Sequence, residues 1–171
     1  MKQELIMKTE NAQQTMKLGK KFAELLDTNL VIGLIGDLGA GKTCFVKGMA
    51  EGVGYDFIEN VTSPTFTIIN EYHGKISLFH FDLYRIHSEN DFDTIGFYDY
   101  LDKQGICVIE WVCNVDDVIK RDIDIKIEIK ENDVRVFTFI VNNEKLRNRI
   151  HQFCHSSEGG NLESKINQEL K

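Results

Sequence analysis

The chain is poor in proline, with Pro64 alone among 171 residues, and its four cysteines include no C-x-x-C pair. Cys44, Cys107, Cys113 and Cys154 are scattered, so they read as buried thiols and not as a metal or redox site. The five histidines, at 73, 80, 87, 151 and 155, show no H-E-x-x-H or other ligand spacing. No apolar stretch approaches the length of a membrane span. The opening residues, MKQELIMKTENAQQ, lack an apolar h-region followed by a small-residue cleavage site. The expected location is therefore the cytoplasm, with no membrane partner. Basic charge is also scarce: 20 Lys and Arg stand against 27 Asp and Glu, a net charge of −7. A protein that grips a phosphate backbone by itself carries the opposite sign, so autonomous nucleic-acid binding is disfavoured.

What is present suffices for a globular core. Hydrophobic residues make up 42% of the chain. The length fits one domain, expected over 1–154, with the polar, Gly-containing residues 155–171 as a flexible tail. Apolar residues from Ala12 to Leu26 recur at helical spacing, with Thr9 or Asn11 as the cap. The run 30–35 reads as a buried strand, followed by a helix from about Gly41 to Gly52. Strands are expected at 66–72 and 76–81, short helical pieces near 89–92 and 97–101, and a strand at 106–109. Isoleucines at 123, 125, 127 and 129 alternate with polar residues, the period of a half-buried strand. Glu131-Asn132-Asp133 then turns the chain into 134–141, and a last helix is expected at 143–153. Alternating strands and helices followed by a hairpin predict a three-layer α/β domain with a mixed sheet and a C-terminal antiparallel hairpin.

Residues 36–43 read GDLGAGKT and match G-x-x-x-x-G-K-[ST] at every position. A strand before it and a helical pattern after it supply the context that the motif requires. Glycines at 36, 39 and 41 let backbone N–H groups approach phosphate oxygens, and the following helix points its positive end at the same anion. In such a loop Lys42 reaches the β/γ-phosphates and Thr43 offers its hydroxyl to Mg²⁺. A hydrolase needs an acid at a neighbouring strand end as well. Asp82 and Glu110 each end an apolar run, which allows one to serve the metal and the other to orient water. Trp111 follows Glu110. Strict alternation puts it on the opposite side of the strand end, where packing is as good an account as function. Ser63-Pro64-Thr65-Phe66 lies between the loop helix and the next strand, where hydroxyls could sense a γ-phosphate; by its residues alone it reads first as a proline-marked loop.

Taken with SPTFTIINEY at 63–72, HFDLYR at 80–85, IGFYDYLD at 95–102 and IEW at 109–111, the loop resembles the bacterial TsaE (YjeE) ATPase family. The resemblance runs in unbroken order over roughly residues 5–150. It implies a P-loop NTPase-like domain with weak intrinsic, Mg²⁺-dependent ATP hydrolysis. The family takes part in making threonylcarbamoyladenosine at adenosine 37 of tRNA. It acts with TsaD- and TsaB-type partners, of which the TsaD type performs the transfer. The tRNA is then met indirectly, through the complex, and hydrolysis serves repeated turnover.

By the same resemblance Leu38, Gly39, Ala40, Gly41 and Lys42 wrap the phosphates, Thr43 binds Mg²⁺ and Glu110 is the metal-linked glutamate. Asp82 is the acid needed for turnover, Trp111 a functionally required tryptophan and Thr65 part of a switch-like segment. Tyr84 and Arg85 face the nucleotide or a partner, and Thr9–Ala12 lies by the adenine. His80 belongs to the same motif, where a buried structural imidazole is favoured over a proton-transfer role. Two positions depart from the family. Cys44 stands where a second threonine is common, and Val112 where a proline or small polar residue often follows the tryptophan.

Three rivals remain to be weighed. A P-loop small-molecule kinase closes an arginine-bearing lid over the phosphoryl group, yet Arg85, Arg121, Arg135, Arg147 and Arg149 do not cluster in an insert. A GTPase requires an N-K-x-D stretch, which is absent. A nucleotide-sensing interaction module with negligible hydrolysis has no need of Asp82 and Glu110.

Overall fold

The computed structural model describes residues 3–86, 88–112 and 119–156. Seven strands form one mixed sheet: β1 (Gln3–Thr9), β2 (Leu30–Ile35), β3 (Ile69–His73), β4 (Ser77–Asp82), β5 (Gly105–Glu110), β6 (Ile123–Ile129) and β7 (Arg135–Val141). Their spatial order is β1-β7-β6-β2-β5-β4-β3. The four central strands run parallel, while β3 pairs antiparallel with β4 and β7 pairs antiparallel with both β6 and β1. The helices are α1 (Ala12–Ala23), α2 (Lys42–Gly52), α3 (Glu89–Thr94), α4 (Phe97–Leu101) and α5 (Glu144–Ser156).

The two faces of the sheet carry separate apolar clusters, and strand alternation decides which residue joins which. Leu78, Ile106, Val108, Ile123 and Phe137 share one cluster with Phe22 of α1, Phe45 of α2 and Ile150 of α5. Phe79, Phe81, Cys107 and Ile109 share the other with Phe92 of α3 and Phe97 of α4. The arrangement is the expected three-layer α/β one. On the first face Phe22 is wholly buried, with its ring centroid 5.2 Å from that of Phe139 and 5.8 Å from that of Phe45. Burying one such ring contributes about 1.5–3 kcal/mol.

Asn11 caps α1, its side-chain oxygen accepting from the Gln14 amide at 2.8 Å. Thr9, the other candidate, instead bonds the Thr15 hydroxyl at 2.8 Å. Strand β1 was not foreseen from the sequence. Its buried positions, Leu5, Met7 and Thr9, do alternate, and it extends the expected hairpin by a third antiparallel strand. The strand expected at 66–72 begins only at Ile69, because Ile68 takes a left-handed φ of 68°. The turn at Glu131–Asp133 is a short 3-10 turn with Asn132 at φ 58°. The last helix runs past 153 to Ser156, so His155 and Ser156 belong to α5 and not to the expected tail. The rest of that tail, with Cys113 and His87, lies outside the described residues. Among the described residues, no helix is long and apolar enough to cross a membrane.

Candidate functional site

The phosphate-loop sequence connects the end of β2, a central strand, to the start of α2. Gly39 and Gly41 take φ values of 79° and 104°, a backbone region that costs other L-residues strain. The Arg135 side chain packs over Gly41, where a Cβ would stand 3.1 Å from Arg135 Nε. No side chain caps α2, so its first-turn N–H groups remain available to an anion.

Lys42 opens α2 and is buried. Its Nζ donates to the carbonyls of Gly36 at 2.8 Å and Asp37 at 3.0 Å, folding the side chain over its own loop. The ammonium lies 4.3 Å from the centroid of the Trp111 ring. Burial pushes its pKa below the ordinary lysine value, and the negative charges of Glu110, Asp82 and Asp37 pull the other way.

Asp82 and Glu110 close their strands as direct register partners on the parallel pair β4 and β5. Alternation puts Leu78, His80 and Asp82 of β4, and Ile106, Val108 and Glu110 of β5, on the face that α1 and α2 cover. Both acids are buried. Asp82 Oδ2 accepts from Ser63 Oγ and Thr65 Oγ1, each at 3.0 Å, and its Oδ1 accepts from the Tyr84 amide at 2.9 Å. The segment at 63–65 is thereby tied to a carboxylate. It leads to the strained Ile68, whose amide donates to Pro64 O and whose carbonyl accepts from the Asp82 amide. Glu110 Oε1 accepts from Thr43 Oγ1 at 3.1 Å and meets His80 Nε2 at 2.8 Å.

Trp111 departs from the alternation expected of it. Its φ of 62° takes it out of the extended conformation directly after Glu110. The indole consequently lines the same cavity as the glutamate and the lysine, edge-on to Tyr84 at 5.1 Å between centroids. Strict alternation fails at this strand end because the backbone turns there.

An open cavity of about 540 Å³ is bounded by residues 38–44, by Ser63 and Thr65, by Asp82 and Tyr84, and by Glu110 and Trp111. Leu38 to Thr43, Thr65, Asp82, Glu110 and Trp111 thus lie on one cavity, although the pieces come from four separated stretches. Leu38 projects at its rim and is 88% exposed. Arg85 turns to the outside and stacks its guanidinium 5.0 Å from the Phe66 centroid. Thr9–Ala12 runs beside the first turn of α2, where Cys44 Sγ donates to Ala12 O at 3.3 Å.

Sequence reading passed over Arg135 as a neighbour of the loop and favoured a structural role for His80 over proton transfer. For His80 a signal was there: a polar residue at an inward position of an otherwise apolar strand. Arg135 is brought in by strand β7 from far along the chain, and no local pattern marks it.

The donor set suits Mg²⁺. That ion keeps several waters and takes one or two protein oxygens beside substrate phosphates, and a hydroxyl and a carboxylate converge here at 3.1 Å next to a phosphate loop. Among the described residues, no three His, Cys, Asp or Glu side chains gather as a closed metal cage.

Comparison with known proteins points one way. A family model described as "Threonylcarbamoyl adenosine biosynthesis protein TsaE" matches residues 9–137. The "tRNA threonylcarbamoyladenosine biosynthesis protein TsaE" of Bacillus subtilis (strain 168) is 38% identical over 153 residues, which cover 88% of this chain and 92% of that protein. The protein of the same name from Treponema pallidum (strain Nichols) is 47% identical over 103 residues, covering 60% and 75%. A solved structure titled "Crystal structure of Bacillus subtilus YdiB" superposes with a TM-score of 0.74 at 32% identity, covering 91% of this chain and 97% of that one. With the family's model spanning the loop, the 63–65 segment, both strand-end acids and Trp111, this chain belongs to the TsaE family.

Proposed function

We propose that this chain is a P-loop ATPase, Mg²⁺-dependent and weak alone, whose hydrolysis is stimulated by TsaD- and TsaB-type partners and supports repeated threonylcarbamoylation of tRNA. The observation that carries the reading is the pair of register partners Asp82 and Glu110. Each is tied to a different hydroxyl segment beside one phosphate loop. A protein that only bound a Mg²⁺-nucleotide would use the metal-side acid alone, and a second buried carboxylate in register beside it would cost solvation for no return.

In this reading the α2 N-terminus and the backbone of 38–42 hold the phosphates of ATP. Lys42 leaves its own loop carbonyls for the β/γ-phosphate oxygens. Thr43 and Glu110 would hold Mg²⁺, which when bound would supply positive charge against the phosphates. Asp82 orients the attacking water and accepts its proton as the water oxygen bonds to the γ-phosphorus and the bond to ADP breaks. Ser63 and Thr65, bonded to Asp82, report whether a γ-phosphate is in place. Trp111 backs the phosphate-binding lysine. The segment at Thr9–Ala12 flanks the adenine.

The threonylcarbamoyl transfer itself belongs to the TsaD-type partner, and the tRNA contacts belong mostly to the complex. A net charge of −7 supports that division. The work is assigned to the cytoplasm, within one ATPase domain. Assaying ATP hydrolysis by the purified chain, alone and with the partner subunits, tests the reading. Partner stimulation is expected, and its absence overturns the proposal. Depletion in the host should lower threonylcarbamoyladenosine in bulk tRNA.

A further inference from the structure

We infer that His80 is a positioning residue for Glu110: its Nε2–H fixes the carboxylate against Thr43 so that the pair is preorganised for a Mg²⁺-nucleotide. The inference rests on the reading of Thr43 and Glu110 as the magnesium-side pair. His80 sits in the middle of β4, fully buried, opposite Val108 in the register with β5. Its Nε2 lies 2.8 Å from Glu110 Oε1, the same oxygen that accepts from Thr43 Oγ1 at 3.1 Å. A carboxylate oxygen only accepts, so Nε2 carries the hydrogen.

The other ring nitrogen argues against a packing role. Among the described residues, Nδ1 is buried with no hydrogen-bond partner. Its nearest described aromatic neighbour is the Tyr72 ring, 6.2 Å away between centroids. Leaving such an atom unpaired is unfavourable, and a leucine would fill the same volume with no orphan. What the imidazole adds over leucine is the single donor aimed at Glu110. That carboxylate is itself buried, and without His80 its Oε1 would keep only the Thr43 hydroxyl, which Mg²⁺ also claims. One fixed donor behind Glu110 leaves its second oxygen and the Thr43 oxygen free to face the ion. Donors of this kind typically set metal affinity by 10–100-fold.

The test is binding of a fluorescent-labelled ADP, titrated with Mg²⁺ and repeated in chelator. For His80→Leu, the Mg²⁺ concentration at half-effect should rise by about 10-fold or more, with metal-free ADP affinity within about twofold of the parent. His80→Gln, whose amide nitrogen reaches the Nε2 position, should restore the dependence to within about threefold. Should His80→Leu fail to fold, His80→Asn, whose shorter amide stops short of Glu110, takes its place. An unchanged Mg²⁺ dependence in the donor-less variant overturns the inference. So does an equal shift in His80→Gln, because ring shape and not the donor would then matter. A parent protein whose ADP binding ignores Mg²⁺ would instead overturn the magnesium reading of the site, and this inference with it.

Discussion

The Lys42 ammonium rests 4.3 Å from the centroid of Trp111, the chain's one tryptophan, and donates to two carbonyls of its own loop. A cation over an indole face is worth about 0.5–2 kcal/mol, more as water is excluded. On the proposed reading the phosphates of a nucleotide would compete for the same ammonium, since charge-assisted bonds are stronger than bonds to neutral carbonyls. Tryptophan emission should therefore change when ADP or ATP binds. In Lys42→Ala the change should vanish together with most of the nucleotide affinity. Emission that stays constant while a labelled nucleotide saturates the protein would show that the pair is not disturbed by binding.

Asp82 and Glu110 should separate in kinetics despite their direct pairing across β4 and β5. Asp82 is bonded to Ser63, Thr65 and the Tyr84 amide and makes no bond to the loop threonine. Asp82→Asn should lower partner-stimulated ATP hydrolysis by about 10²-fold or more while leaving ATP affinity within a few-fold, as expected for loss of a positioned proton acceptor. Glu110→Gln should raise the Mg²⁺ requirement as well as slow hydrolysis. Normal hydrolysis by both variants in the full complex would remove the division of roles.

The phosphate loop, the strand-end acids and the hairpin were legible in the sequence because each rests on local spacing. GDLGAGKT fixes its own backbone through Gly39 and Gly41, and isoleucines at 123, 125, 127 and 129 state their period directly. What was not legible depends on residues far apart. Strand β1 lies at the sheet edge, and its pairing to β7 spans most of the chain. Trp111 was misplaced by alternation because its positive φ has no cue in its own side chain. The bond from His80 to Glu110 joins two strands 30 residues apart, so neither residue announces the other.

Helices α1 and α2 touch backbone to backbone, which makes Gly48 a packing requirement. A Cβ at Gly48 would stand 2.0 Å from Met16 O, and one at Gly19 would stand 2.2 Å from Phe45 O. Alanine is favoured over glycine in a helix interior by about 0.8–1 kcal/mol. Overpacking against rigid backbone costs about 1–3 kcal/mol. Gly48→Ala should therefore lower the denaturation midpoint. Because α2 begins with Lys42 and Thr43, the displaced helix should also bind nucleotide more weakly. An unchanged midpoint would mean that the two helices can part without loss.

Stability should fall as the solution becomes alkaline, and two buried thiols set the window. Burial pushes Cys107 and Cys154 up from the ordinary value of 9.0 to about 12. Between those values the unfolded chain has released thiol protons that the folded chain still holds. The folded state binds more protons there, so unfolding becomes easier as pH rises. The benefit is fully present below about pH 9 and lost progressively towards about pH 12. Tyr72, raised mainly by burial, and Tyr100, raised mainly by its bond to Glu71, act in the same direction. Lys42 opposes them, since its lowered pKa makes the folded state the first to lose that proton. Two large thiol shifts outweigh one lysine. Denaturant midpoints measured at about pH 8 and about pH 10.5 should therefore show a clear decline. Replacing both thiols, Cys107→Ala with Cys154→Ala, should flatten it while lowering stability at both pH values through the volume lost. A decline of equal steepness without these two thiols would place its origin in the other raised groups, Cys44, Lys20, Tyr72 and Tyr100.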